Sequence, residues 1–197
     1  MNYFTKEGLS RLYLEEGKSV HDIASLYSCS QNKINYWFSK FNIKKRTISE
    51  AIYQKSNPNG NPFFFKTPKK PDDVFLFGLG LGLYWGEGNK KNTNTVRLGN
   101  TDPRLVKSFI KFLEHIYAVP KEKFRFGLQI FSDMRPQKAL QFWMSALNVP
   151  RDKFGKVIVT PARSIGTYKE KSKYGVLTIY VSNKKLRDLL IDEIEKL

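Results

Sequence analysis

The chain has 197 residues, enough for one large domain or two small ones, and its apolar (41%) and charged (26%) fractions are those of a globular protein. Its formal net charge of +16 is not ordinary: 12 basic and 5 acidic side chains precede residue 71, and 22 and 13 follow, so the excess is no basic tail on a neutral body. Such a field favours nucleic acid as partner, since neutralising phosphates releases counterions, while a single cysteine, Cys29, excludes a disulfide framework and suits a reducing cytoplasm.

The opening MNYFTKEGLSR lacks the apolar core of a secretory signal. Thr5, with Glu7 and Gly8, starts a helix that places Leu9, Leu12 and Tyr13 on one face and ends near Gly17. Ser19 is the expected N-cap of a short helix, SVHDIASLY, with Val20, Ile23, Ala24 and Tyr27 inward. Ser28-Cys29-Ser30 forms a turn, and Ser30 caps a third helix, QNKINYWFSKF, with Ile34, Trp37, Phe38 and Phe41 inward. Its outward face holds Gln31, Asn32, Lys33, Asn35 and Tyr36, and the small Ala24 sits where two crossing helices approach.

Residues 5–46 resemble the helix-turn-helix of resolvase-like and repressor-like DNA-binding domains. The resemblance implies that the start of the third helix meets base edges in the major groove. Gln31 and Asn32 would then read adenine, and Lys33 guanine or phosphate. A three-helix bundle without DNA is the alternative; the charge and the polar outer face favour DNA. The basic arm NIKKRT, with Lys44, Lys45 and Arg46, either lies along a minor groove or is a solvated linker. His21 is expected on the exposed side of its helix, and Cys29 as a plain turn residue, with nothing nearby to lower its pKa.

This gives a helix-turn-helix domain over 1–46 and a linker over 47–72, with a short helix around ISEAIYQK, a turn-rich SNPNGNP and three phenylalanines that dock on a flanking domain. A second domain spans 73–197. It opens with a helix over 73–86, capped by Asp72 or Asp73, then a strand over 94–100. Thr101-Asp102-Pro103 starts a helix that buries Leu105, Phe109, Phe112, Leu113 and Ile116. KFRFGLQIF alternates as a strand, with Lys123, Arg125 and Gln129 opposite Phe124, Phe126, Leu128 and Ile130. A helix through Phe142, Trp143 and Leu147 follows, then strands near 156–160 and 175–181 around the basic loop PARSIGTYKEKSKYG, and a last helix over 183–196. The fold class is α+β with one mostly antiparallel sheet.

The stretch FLFGLGLGLYWGEGNKK stands out. Its uncharged run, 74–86, is short of the roughly 20 residues that span a bilayer, so no membrane is expected. Each interior glycine costs a helix about 1 kcal/mol relative to Ala. Gly78, Gly82 and Gly86 recur at every fourth position, a bare stripe that admits a second helix backbone at close range, while Leu79 and Leu83 are left to pack on the sheet. Glu87 is an anion at the helix end that disfavours one, and Gly88 ends the helix as a C′ residue. Two readings stand for Glu87: a cation ligand, or an exposed acid paired with Lys90 or Lys91. A Gly-rich phosphate loop fails, because that fingerprint needs a strand before it and a long helix after it. No Cys/His cluster or Ser-His-Asp set competes, and His115 is expected in solvent. No small-molecule substrate is indicated.

GLGLYWGEG resembles the LAGLIDADG motif, and TVRLGNTDPRLVKSFIKFL and GVLTIYVSNKKLRDLL match the family's strand-to-helix steps. The resemblance covers about 73–197. It implies a saddle-shaped sheet on DNA, two such helices paired side by side with Gly82 and Gly86 at the contact positions, to which the glycine stripe adds Gly78, and a catalytic acid, Glu87, that binds Mg²⁺ with Gly86. With one motif per chain, it implies a homodimer and a nearly palindromic double-stranded target. Trp85 departs from the family's usual residue, and NKKNTN is short. Candidate DNA contacts on the sheet side are Lys90, Lys91, Arg97, Arg125, Gln129, Arg163, Lys169, Lys171 and Lys173. The leading expectation is thus a homing-type DNA endonuclease. The alternatives are a non-cleaving transcriptional regulator on the same scaffold, as in one branch of the family, and a recombination or partition accessory that bridges two DNA segments.

Overall fold

The computed structural model describes residues 4–162 and 172–196. Among them are eight α-helices and a four-stranded mixed sheet, an α+β protein. Two compact units divide between Pro62 and Phe63.

In the first unit, local hydrogen-bond chemistry sets the helix starts. Helix α1 (Lys6–Ser10) begins where Thr5 Oγ1 accepts from the Gly8 N–H (3.1 Å) and continues into one π-helical turn, Arg11–Glu15. Helix α2 (Val20–Leu26) starts with a reciprocal capping box. The Asp22 N–H donates to Ser19 Oγ (3.1 Å), and the Ser19 N–H to Asp22 Oδ2 (2.9 Å). The Ser19 hydroxyl and N–H, both donating to Asp22, hold its carboxyl below the usual range. Helix α3 (Gln31–Lys40) is capped by Ser30, after a turn in which Ser28 takes φ +49°. Leu9, Leu12, Tyr13, Ile23, Ala24, Ile34 and Phe38 are buried as the periodicity requires, and Ile43 of the basic arm joins them. Val20, Tyr27, Trp37 and Phe41 close the core from its rim. Helix α4 (Ile48–Ser56), started by a Thr47–Glu50 capping box, falls in this unit, so residues 47–62 are not a separate linker.

The second unit starts at the phenylalanines. The N–H groups of Phe64 and Lys66 donate to the carbonyls of Tyr117 (3.0 Å) and Ile116 (2.7 Å), and the Phe65 ring packs on Phe77 and Tyr117. Helix α5 (Pro71–Glu87) follows, with Lys70 as N-cap residue. Asp72 and Asp73 are therefore not caps but first-turn acids, where the macrodipole favours them. Asp73 also accepts from His115 (2.7 Å), so the exposed histidine is partnered. Strand β1 (Val96–Asn100), α6 (Pro103–Ile116), β2 (Phe124–Phe131), α7 (Pro136–Leu147), β3 (Ile158–Thr160), β4 (Val176–Val181) and α8 (Lys184–Ile194) complete it.

The sheet order is β1-β4-β2-β3. Strand β4 runs antiparallel to both neighbours, and β3 pairs with β2 in parallel. One face is buried through Val96, Leu98, Phe124, Phe126, Leu128, Ile130, Leu177, Ile179 and Val181. Phe109, Phe112, Leu113 and Ile116 of α6, Trp143 of α7, and Leu186 and Leu190 of α8 join the same core. Val106, not Leu105, is the fully buried residue of the first turn of α6. Helix α5 adds Leu76, Leu81 and Tyr84, whereas Leu79 is 36% exposed and Leu83 only half-buried. Leu79 thus does not face the sheet. The close approach falls at Gly80, where a Cβ would collide with the Phe112 ring.

Candidate functional site

Helix α5 has two glycine faces with opposite roles. Gly80 is pressed against α6, but a Cβ at Gly78, Gly82 or Gly86 would meet no heavy atom within 4 Å. These three positions share an outward face with Val74, Phe75 (71% exposed), Leu79 and Trp85 (58%). The most hydrophobic helix of the chain therefore presents a partly bare, partly aromatic ribbon to solvent. Large apolar side chains clustered this way mark an interaction surface more often than a solvated one.

At the end of that ribbon Glu87 is exposed and, among the described residues, makes no hydrogen bond or ion pair with another side chain. Lys90 does not pair with it. Its Nζ donates to the Trp85 carbonyl and lies 3.5 Å from that of Tyr84, a cation on the negative end of the helix. Gly88 ends the helix as expected; it is extended (φ −74°, ψ 143°), and its N–H donates to the Tyr84 carbonyl (2.9 Å). Its glycine identity follows from space, because a Cβ there would strike the Tyr84 ring. The backbone then turns onto the sheet edge, where Gly88 bridges Leu98 and the Asn89 N–H donates to Arg97 O (2.9 Å). Tyr84 is fully buried, its hydroxyl without a partner among the described residues; burial pushes the phenol's pKa up, and the nearby Arg187 charge opposes this.

The donors at this corner are the Glu87 carboxylate and the Gly86 carbonyl, one of the last in the helix and so without an intrahelical partner. Such oxygens suit a hard divalent cation. They are too few, and among the described residues no three His, Cys, Asp or Glu side chains cluster. The donor type fits a hard cation, but the described residues do not complete a site.

The second surface is the open face of the sheet. Strand register lines up Arg97, Tyr180 and Arg125 across β1, β4 and β2, and Gly99, Thr178 and Gly127 in the next row. Gln129 follows between Val176 and Ile158. The Arg97 guanidinium lies 5.8 Å from the Tyr180 ring, with Nε donating to Thr95 Oγ1 (2.9 Å). Arg125 and Gln129 are exposed, and Arg125 Nη1 donates to Phe124 O (2.8 Å). Arg97, Arg125 and Gln129 therefore share one face as expected. Tyr180 and Thr178, absent from the sequence reading, are signalled by the alternation of VLTIYV. Lys91 and Lys173 are exposed, Lys173 beside the Tyr174 ring. Arg163, Lys169 and Lys171 lie outside the described residues.

In the first unit, Gln31, Asn32, Lys33 and Tyr36 are exposed on α3 and Asn35 is half-buried. Gln31 Nε2 lies 3.4 Å from His21 Nδ1, and Lys33 Nζ 5.5 Å from the Phe4 ring. Residues 23–49 contain five basic side chains and no acid, a run centred on α3 and the arm after it. Lys44 and Lys45 are exposed, but Arg46 is not a free contact. Its N–H donates to Tyr13 Oη (2.9 Å), its guanidinium stacks 4.0 Å from the Tyr13 ring, and Nη1 donates to Tyr13 O (3.1 Å) and to Gln54. Arg46→Ala is therefore expected to destabilise the first unit by about 2 kcal/mol, the scale of lost charge-assisted bonds. A thermal melt checks this.

No family model, curated protein or solved structure matches the chain. Among the described residues no helix is long and apolar enough to cross a membrane.

Proposed function

We propose that the chain is a homodimeric, sequence-specific DNA endonuclease dependent on a divalent cation, with a helix-turn-helix unit followed by a LAGLIDADG-like saddle. The observation that carries this reading is α5: its open glycine face ends on Glu87, a carboxylate without a partner among the described residues. Pairing two copies along Gly78, Gly82 and Gly86 buries the aromatic ribbon and brings two Glu87 carboxylates together. That would double the oxygen ligands at the corner. Mg²⁺ held by Glu87 and the Gly86 carbonyl would activate water and stabilise the leaving oxygen. Arg97 and Arg125 then meet phosphates, and Gln129 reaches a base edge. The α2-turn-α3 segment, with Gln31, Asn32 and Lys33 foremost, extends recognition to an outer half-site.

A second reading, a non-cleaving DNA-binding regulator, uses the same surfaces, and the sparse ligand set among the described residues favours it. Selection of bound sites from random duplexes, followed by incubation with Mg²⁺, Mn²⁺ or EDTA, separates the two. A metal-dependent double-strand cut in a near-palindrome supports the nuclease, and a strong footprint with no cut under either metal sinks it. Within the selected site, Gln31→Ala and Asn32→Ala should each cost about 1–3 kcal/mol and relax preference at one position per half-site. Lys44→Ala or Lys45→Ala should weaken all sequences and lower the salt slope by about 1.

A further inference from the structure

The turn that holds Glu87 is fixed from a distant helix. Arg187, on the first turns of α8, donates from Nη2 to the Lys90 carbonyl (2.8 Å) and from Nη1 to Asp188 Oδ1 (3.1 Å). Its side chain is only 16% exposed, and its Nε is buried with no partner among the described residues. A buried guanidinium with an unmatched donor is costly where a leucine would pack. Packing alone therefore does not explain an arginine here.

What the arginine holds is the segment just after the acid. Lys90 is tied by its carbonyl to Arg187 and by its Nζ to the end carbonyls of α5, so Glu87 is bracketed between a capped helix and an anchored loop. The anchored loop continues into the Asn89–Arg97 bond at the sheet edge. We propose that Arg187 is a positioning residue: through Lys90 it fixes the Gly86–Glu87 corner so that the carboxylate and the Gly86 carbonyl face one cation. The proposal rests on the metal-dependent reading above.

The test uses the full chain and terbium(III), a hard oxygen-seeking cation whose luminescence is sensitised by a nearby tryptophan, here Trp85, two residues from Glu87. Wild type, Glu87→Gln, Arg187→Met and Arg187→Lys are titrated, and kcat and KM for cleavage of the selected duplex are measured in Mg²⁺. Arg187→Met should weaken the Glu87-dependent terbium signal roughly ten- to a hundred-fold, as for outer-shell partners of metal ligands. It should also lower kcat while KM for DNA stays near wild type, and Arg187→Lys should recover part of both. A circular-dichroism melt confirms that each variant is folded, and the lysine variant alone suffices if the methionine variant is not. Variants with wild-type terbium affinity and kcat, and only a lower Tm, overturn the positioning role and leave the nuclease standing. A wild-type chain with no Glu87-dependent terbium signal overturns both.

Discussion

Glu87→Gln is expected to lower cleavage about a thousand-fold or more while DNA affinity stays within about two-fold of wild type. The size follows from losing several kcal/mol of metal-borne charge stabilisation. The fold should not suffer. Glu87 is exposed and unpartnered among the described residues, and removing an anion from a helix C-terminus relieves a few tenths of a kcal/mol. Dimerisation gives a second readout. Two carboxylates brought together repel unless a cation lies between them, so Mg²⁺ should tighten the wild-type dimer and leave the Glu87→Gln dimer unchanged. Sedimentation with and without EDTA measures this. A variant that still cuts would remove the acid from the chemistry.

Gly82→Leu should convert the protein to a monomer that neither pairs nor cuts, yet is at least as stable as wild type. The space beside Gly82 is open in the single chain, and replacing a mid-helix glycine by leucine gains up to about 1 kcal/mol in helix propensity. What the substitution blocks is close approach by a second backbone. Gly80→Ala gives the opposite result: its Cβ meets the Phe112 ring, so the unit is expected to lose about 1–3 kcal/mol from overpacking while its pairing face is untouched. On the dimeric reading, two glycines two residues apart would separate folding from assembly. Thermal melts and sedimentation of both variants read the difference. Gly82→Leu remaining a dimer would move the interface off α5.

Much of the fold was legible in the chain because its causes are local. Thr5, Ser19, Ser30 and Asp102 start helices as their side chains require, and each hydrogen-bonds a backbone N–H two or three residues on. The alternation of FRFGLQIF set the buried and open faces of β2. The glycine period placed 78, 82 and 86 on one stripe. Other features were not legible. The basic run NIKKRT reads as a uniform arm, yet Arg46 turns inward because Tyr13, 33 residues earlier, offers a ring and two oxygens. Leu79 and Leu83 look equivalent to Leu76 and Leu81, and only the packing of α5 on α6 separates them.

By itself, then, the sequence determined the α+β class, the helix starts at Thr5, Ser19, Ser30 and Asp102, the alternating faces of the strands and the cationic field, all set by interactions within a few residues or by composition. Tertiary structure decided the rest. It chose which glycines are needed for packing within the chain (Gly80 and Gly88) and which face open space (Gly78, Gly82 and Gly86). It aligned Arg97, Tyr180 and Arg125 from strands far apart in the chain, made β3 parallel, and placed Arg187 behind the turn that presents Glu87. The physical reason is the same throughout: strand register and helix contact are fixed by side chains tens of residues apart, and no local period records which of them meet.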